Sequence, residues 1–142
     1  MITTLSQLIA QVESSGNPFA VRFEPHYSCN AESALKMQKL AACNFDTADV
    51  LCACSWGLFQ IMGDNLIALG LKTSPIEYCG DKIAQLDMFN AYCVQNRCNY
   101  SLDEIITDAS KRADFARKYN GSGAVNSYAQ ALLNTYRDFS NA

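Results

Sequence analysis

The chain reads as all-α with at most a small β-hairpin, and three features of its 142 residues lead there. Helix starts are written plainly: Thr4 with Gln7, Ser74-Pro75 with Glu77, and Ser101 with Glu104 each set a capping hydroxyl three residues before a Glu or Gln. Apolar residues recur at helical spacing, most clearly Leu5, Leu8, Ile9 and Val12 near the start and Tyr128, Leu132, Leu133, Tyr136 and Phe139 near the end. Only Val21 to Tyr27 has strand character, and no repeat or low-complexity tract breaks the pattern.

The first helix starts behind Thr4 and is expected to stop at Gly16-Asn17-Pro18, because proline cannot continue the hydrogen-bond ladder and disfavours helix in the residue before it. Ser28 to Ala42, with Leu35, Met37 and Leu40 among charges, predicts a second helix, and Asn44 to Asp49 reads as loop. Trp56 to Met62 is an apolar stretch. Asp64 is then expected to cap a short helix that ends at Gly70. Ser74-Pro75-Ile76-Glu77 opens a long helix through Ile83, Leu86, Phe89 and Cys93. A capped helix with Ile105 and Ile106 follows Ser101, another covers Ala113 to Tyr119 and stops at Asn120-Gly121, and the last carries the Tyr128 face.

Size and charge narrow the function classes. A chain of 15.6 kDa with 49% hydrophobic residues predicts one compact domain over residues 1–142. Its net charge of -3 and pI near 5.0, with no basic cluster longer than Lys111-Arg112, argue against nucleic acid as a partner. No apolar run reaches the length of a membrane span, and the N-terminus has neither the basic nor the apolar region of a signal peptide.

Cys29, Cys43, Cys52, Cys54, Cys79, Cys93 and Cys98 are an odd set, so at least one thiol stays free. The spacings include a C-x-C but no C-x-x-C, and His26 is the only histidine, which speaks against structural zinc. No metal and no cofactor are expected. Buried thiols and disulfides both remain open from the sequence.

Glu13 is the most informative residue. It follows Ile9 by four positions, so it borders the buried face of the first helix, and it sits in the last turn, where the helix dipole disfavours an anion. An acid held against apolar surface keeps its proton better than one in water, which suits it to general acid catalysis. The bland alternative is a solvated acid at a helix end.

Three segments carry a resemblance. Val12 to Ala20, Ser55-Trp56-Gly57-Leu58-Phe59-Gln60-Ile61-Met62, and Tyr119-Asn120-Gly121 followed by Tyr128-Ala129 are similar, in order and spacing, to the lytic transglycosylase branch of the lysozyme superfamily. The middle block, Gln85 to Phe89, Phe115 to Gly121 and the string Phe23-Glu24-Pro25-His26-Tyr27 also resemble the N-acetylmuramidase domains of bacteriophage endolysins. Together the likeness covers about residues 5 to 139.

That resemblance implies a lysozyme-like fold of the soluble lytic transglycosylase type, and cleavage of the β-1,4 bond between N-acetylmuramic acid and N-acetylglucosamine in peptidoglycan. Glu13 matches the catalytic glutamate. Ser55 and Gln60 match cleft residues, Tyr119 matches the tyrosine whose hydroxyl faces the acid, Asn120 supports that turn, and these four with Gly57 and Tyr128 are expected to bind substrate. Gly57 would permit a backbone approach that a side chain would block. Ser55 and Gln60, polar within an apolar block, need partners if buried, and substrate groups are plausible ones. For His26 a packed, hydrogen-bonded structural role is expected over sugar contact.

The transglycosylase form leaves 1,6-anhydro ends, and the alternative is a hydrolytic muramidase of the phage endolysin type. About 35 residues and four cysteines separate the first two motifs, an arrangement that resembles the muramidases. Glu24, Glu32, Asp46 and Asp49 lie in that insertion, and any of them could position a water. Two further alternatives are a lysozyme-like domain that binds glycan strands without cutting them and a cysteine-rich helical protein with no cleft. An enzyme of this kind would act as a monomer on the periplasmic or cell-wall side, delivered by a phage, a virion or a secretion system.

Overall fold

The computed structural model describes residues 1–141. Helices dominate: α1 (Leu5–Ser14), α2 (Ala31–Ala41), α3 (Phe45–Cys52), α4 (Gly63–Ala68), α5 (Pro75–Cys79), α6 (Lys82–Gln95), α7 (Leu102–Thr107), α8 (Ala109–Asn120) and α9 (Val125–Ser140). Three short strands, β1 (Val21–Phe23), β2 (Cys54–Trp56) and β3 (Ile61–Met62), form an antiparallel sheet in that order. The mostly α, lysozyme-like class read from the sequence is what the chain adopts. The sheet has one strand more than a hairpin, because Trp56 to Met62 folds back on itself and also pairs with the Val21 segment.

Local signals decide most helix starts. Thr4 and Ser101 form complete capping boxes with Gln7 and Glu104, and the Ser74 hydroxyl accepts from Glu77 N with Pro75 at the first helical position. Two expectations fail for the same reason, an overlooked cap. Asn44 to Asp49 is not loop: the Asn44 side chain accepts from Thr47 N and starts α3, which packs along α2. The helix expected to run unbroken from Pro75 is divided at Gly80, because the Asp81 carboxylate accepts from Ala84 N and begins α6 afresh. Asp64 lies inside the first turn of α4 and does not cap it.

The core joins Leu5, Leu8 and Ile9 of α1 with Met37, Trp56, Phe59, Leu66, Phe89, Phe115 and Leu132. On α6 the apolar periodicity holds for Phe89 and Cys93, which are buried, and fails nearer the helix start, where Ile83 is 76% exposed and Gln85 is fully buried. Among the described residues no helix is long and apolar enough to cross a membrane.

Candidate active site

Helix α1 carries Glu13 to the floor of a cleft and stops abruptly. Ser15 takes a left-handed conformation (φ 53°), Ser15 N donates to Gln11 O, and Gly16 N donates to Ala10 O at 3.0 Å, so the turn closes before proline is reached. The Ser14 hydroxyl, 3.0 Å from Leu58 O, ties this helix end to the segment after β2.

That segment is braced from both sides. Gly57 N donates to Ala20 O at 2.8 Å, and Arg22 on β1 pairs with Ser55 on β2. Gln60 (φ 50°) donates through Nε2 to Ala20 O at 3.1 Å and Gly57 O at 2.9 Å, and its Oε1 accepts from the Ser55 hydroxyl at 2.7 Å. Ser55 and Gln60 therefore satisfy one another and the backbone, without waiting for a ligand.

Gly57 has a structural duty. Its φ is +75°, and a Cβ there would come within 2.4 Å of Gln85 Oε1. The approach that glycine permits is that of Gln85, not of a substrate, and Gly57 does not line the cleft. Gln85 Oε1 accepts from Leu58 N at 2.7 Å, while Nε2 donates to Tyr78 O and Cys79 O at 3.1 and 2.9 Å. This buried amide is not foreseen from the sequence, because a polar residue between apolar ones on a helix gives no sign of which face it occupies.

The cleft holds about 460 Å³ and is lined by Glu13, Ser55, Gln60, Tyr119 and Asn120, together with Arg22, Glu24, His26, Tyr27 and Tyr92. Five of the sequence-derived candidates thus share one cavity, and Tyr128 lies just behind its wall. His26 is exposed at the rim, not packed, because the β1 segment leads it out to the edge of the cleft. Of the four carboxylates in the insertion, only Glu24 faces this space, with Arg22 Nε 2.5 Å from its Oε1.

Tyr128, and not Tyr119, is the tyrosine whose hydroxyl meets the acid. Tyr128 donates its hydroxyl to Glu13 Oε1 at 2.5 Å. The Tyr119 hydroxyl donates instead to Phe59 O at 2.6 Å, and its ring is held by Phe115 (stacked, 5.1 Å), Phe89 (5.9 Å) and Tyr92 (5.4 Å). Tyr119 thereby fixes the backbone of the Ser55 to Gln60 segment, and Tyr128 on α9 addresses the acid.

Burial raises the Glu13 pKa above the ordinary carboxylate value, and this effect outweighs the Tyr128 hydrogen bond and the Arg22 charge, which both pull it down. Burial likewise lifts both tyrosines well above 10, so each remains a neutral donor. The arrangement is a carboxyl that holds its proton more firmly than one in water, beside a hydroxyl donor that can support its anion, which is the chemistry a general acid needs. Among the described residues no three His, Cys, Asp or Glu side chains group closely enough to hold a metal ion.

Residues 24–140 match the family model of the N-acetylmuramidases. The chain is also 32% identical over 140 residues to the endolysin of Enterobacteria phage PRD1, an alignment that covers 92% of each protein. No solved structure gives a significant match.

Proposed function

This chain belongs to the N-acetylmuramidase family, the lysozyme-like glycosidases of peptidoglycan, and from that premise we propose that Glu13 is its catalytic acid and lytic transglycosylation its reaction. The bond cut is the β-1,4 link from N-acetylmuramic acid to N-acetylglucosamine. One observation carries the assignment: a half-buried carboxyl with a raised pKa, hydrogen-bonded by Tyr128, on the floor of a cleft that also presents Ser55 and Gln60.

Glu13 protonates the glycosidic oxygen while the sugar flattens toward an oxocarbenium ion. The anion left on Glu13 is supported by the Tyr128 hydroxyl and the Arg22 charge. The substrate's own acetamido group stabilises the cation. Glu13 then takes the proton of the C6 hydroxyl, whose oxygen closes on the anomeric carbon to give the 1,6-anhydro end. Ser55, Gln60 and Asn120 shape the wall against which the glycan lies, and Tyr119 and Gly57 keep that wall in place. The phage endolysin relative supports an enzyme delivered to the cell wall by a phage; that it is one domain acting as a monomer is part of the same proposal.

Glu24 supports a second reading. It faces the same cleft and could direct a water to the anomeric carbon, which would make the enzyme an inverting hydrolase. The pairing with Arg22 engages the charge that such a base would need free, so transglycosylation is preferred.

Mass analysis of muropeptides released from purified peptidoglycan tests both readings. Anhydro ends, one water lighter than reducing ends, are expected, and Glu24→Gln should leave them unchanged. Reducing ends that vanish with Glu24→Gln would establish hydrolysis. Glu13→Gln should lower turnover by roughly 10²- to 10⁴-fold, the usual contribution of a general acid, and near-normal turnover would remove Glu13 from the mechanism.

A further inference from the structure

Seven cysteines serve no step of the reaction above, yet four of them face one another in two pairs. At the end of α6, Arg97 takes a left-handed conformation (φ 56°), Arg97 N donates to Val94 O, and Cys98 N donates to Cys93 O at 2.9 Å. This helix stop folds the residue after the turn back over the last turn of helix, and here both residues so apposed are cysteines. Their thiols lie in the core, where Cys93 is 3% and Cys98 0% exposed, and each shifts the other's pKa. Cys29, just ahead of α2, and Cys52, the last residue of α3, sit at the outer ends of two helices that a short connection joins and that pack on each other, and each thiol shifts the other's pKa. Cys43, Cys54 and Cys79 have no such counterpart among the described residues.

We propose that Cys93–Cys98 and Cys29–Cys52 are two disulfide sites, open in the reducing cytoplasm and closed when the chain meets an oxidising compartment. The compartment rests on the cell-wall substrate proposed above; the pairing does not. Cysteines that the backbone already apposes need little movement to join. Each bond forms by thiol–disulfide exchange: one thiolate attacks a donor disulfide, and the second displaces the donor. The protein gives up two protons and two electrons per bond, and the donor, oxidised glutathione or a disulfide oxidoreductase, leaves as thiols. The Cys98 thiol is held below its ordinary pKa by the Cys93 thiol and by Lys118, which favours it as the thiolate that displaces the donor from Cys93. Cys93 also lines a second cleft, of about 550 Å³, through which a donor can reach it.

The two bonds would act differently. Cys29–Cys52 closes a long loop that encloses α2 and most of α3, so it constrains the unfolded chain more than the short loop at Cys93–Cys98 does. Cys93–Cys98 instead lies behind the tyrosines of the cleft and would stiffen the wall that Phe89 and Tyr119 build.

The test uses the whole protein, refolded in a mixture of reduced and oxidised glutathione, denatured, and blocked with a maleimide before digestion without reductant. Trypsin cuts after Arg97, so peptides 83–97 and 98–111 travel together only if Cys93 and Cys98 are bonded. Expected are that linked mass, a second link between Cys29 and Cys52, and maleimide on Cys43, Cys54 and Cys79 alone. Cys98→Ala should add maleimide at Cys93 and leave the other link intact. Maleimide on all seven cysteines, or links among other cysteines, would overturn the proposal, and the wild-type map decides even if the variant does not fold. Because no peptidoglycan is present, this result is independent of whether the chain is a transglycosylase, a hydrolase or neither.

Discussion

Tyr128 of α9 donates to Glu13 of α1 at 2.5 Å, while Tyr119 of α8 donates to the Phe59 carbonyl at 2.6 Å. The two tyrosines are therefore separable by experiment. Tyr128→Phe removes a hydrogen bond to a charged group, worth about 1.5–3 kcal/mol, so kcat should fall roughly 10- to 100-fold. That bond favours the Glu13 anion, so its loss moves the alkaline limb of kcat/KM to higher pH. Tyr119→Phe should cost about 1 kcal/mol of stability and leave the limb where it was. A pH–rate profile of both variants checks the distinction.

Glu13→Gln should make the protein more resistant to unfolding at neutral pH. The folded-state pKa of Glu13 is raised, so the folded chain binds more protons than the unfolded one above pH 4.5, and stability is lost as pH rises through the folded value. A neutral amide removes that loss. Denaturant melts of both proteins should diverge as pH increases and converge in acid, and a gap independent of pH would contradict the assignment.

Arg22 acts on Glu13 through its field alone, from a largely exposed side chain. Arg22→Gln should move the alkaline limb upward in low salt and much less in high salt, because exposed charges are screened beyond about 10 Å at 0.1 M. Profiles at two ionic strengths measure this, and a salt-independent shift would point to a direct contact instead.

Gly57→Ala should cost about 2–4 kcal/mol, since it combines a positive φ with a Cβ 2.4 Å from Gln85 Oε1. Pairing it with Gln85→Ala removes the obstructing amide, so the double variant should be less destabilised than the sum of the single ones. Urea unfolding of the four proteins gives the coupling.

What the sequence disclosed was what is local. Thr4 with Gln7 and Ser101 with Glu104 could be read as caps because both partners lie within one turn. Asn44 and Asp81 escaped notice because a lone capping side chain, without the reciprocal Glu or Gln, looks like any polar loop residue. The cleft itself was visible only as separate motifs. That Glu13, Ser55, Gln60, Tyr119 and Asn120 would meet follows from strand pairing and helix packing over long separations. Which tyrosine meets the acid depends on how α9 crosses α1, and Tyr119 and Tyr128 differ in nothing local that could reveal it. Gln85 was hidden for the converse reason: its burial is set by four backbone groups contributed from elsewhere in the chain.

The acid and the hydroxyl that steadies it belong to the first and the ninth helices of the chain. A ribosome that has released only the leading helices has therefore made the carboxyl but not its partner. On the proposed mechanism, competence to cut arrives only once α9 has been made and has folded against α1.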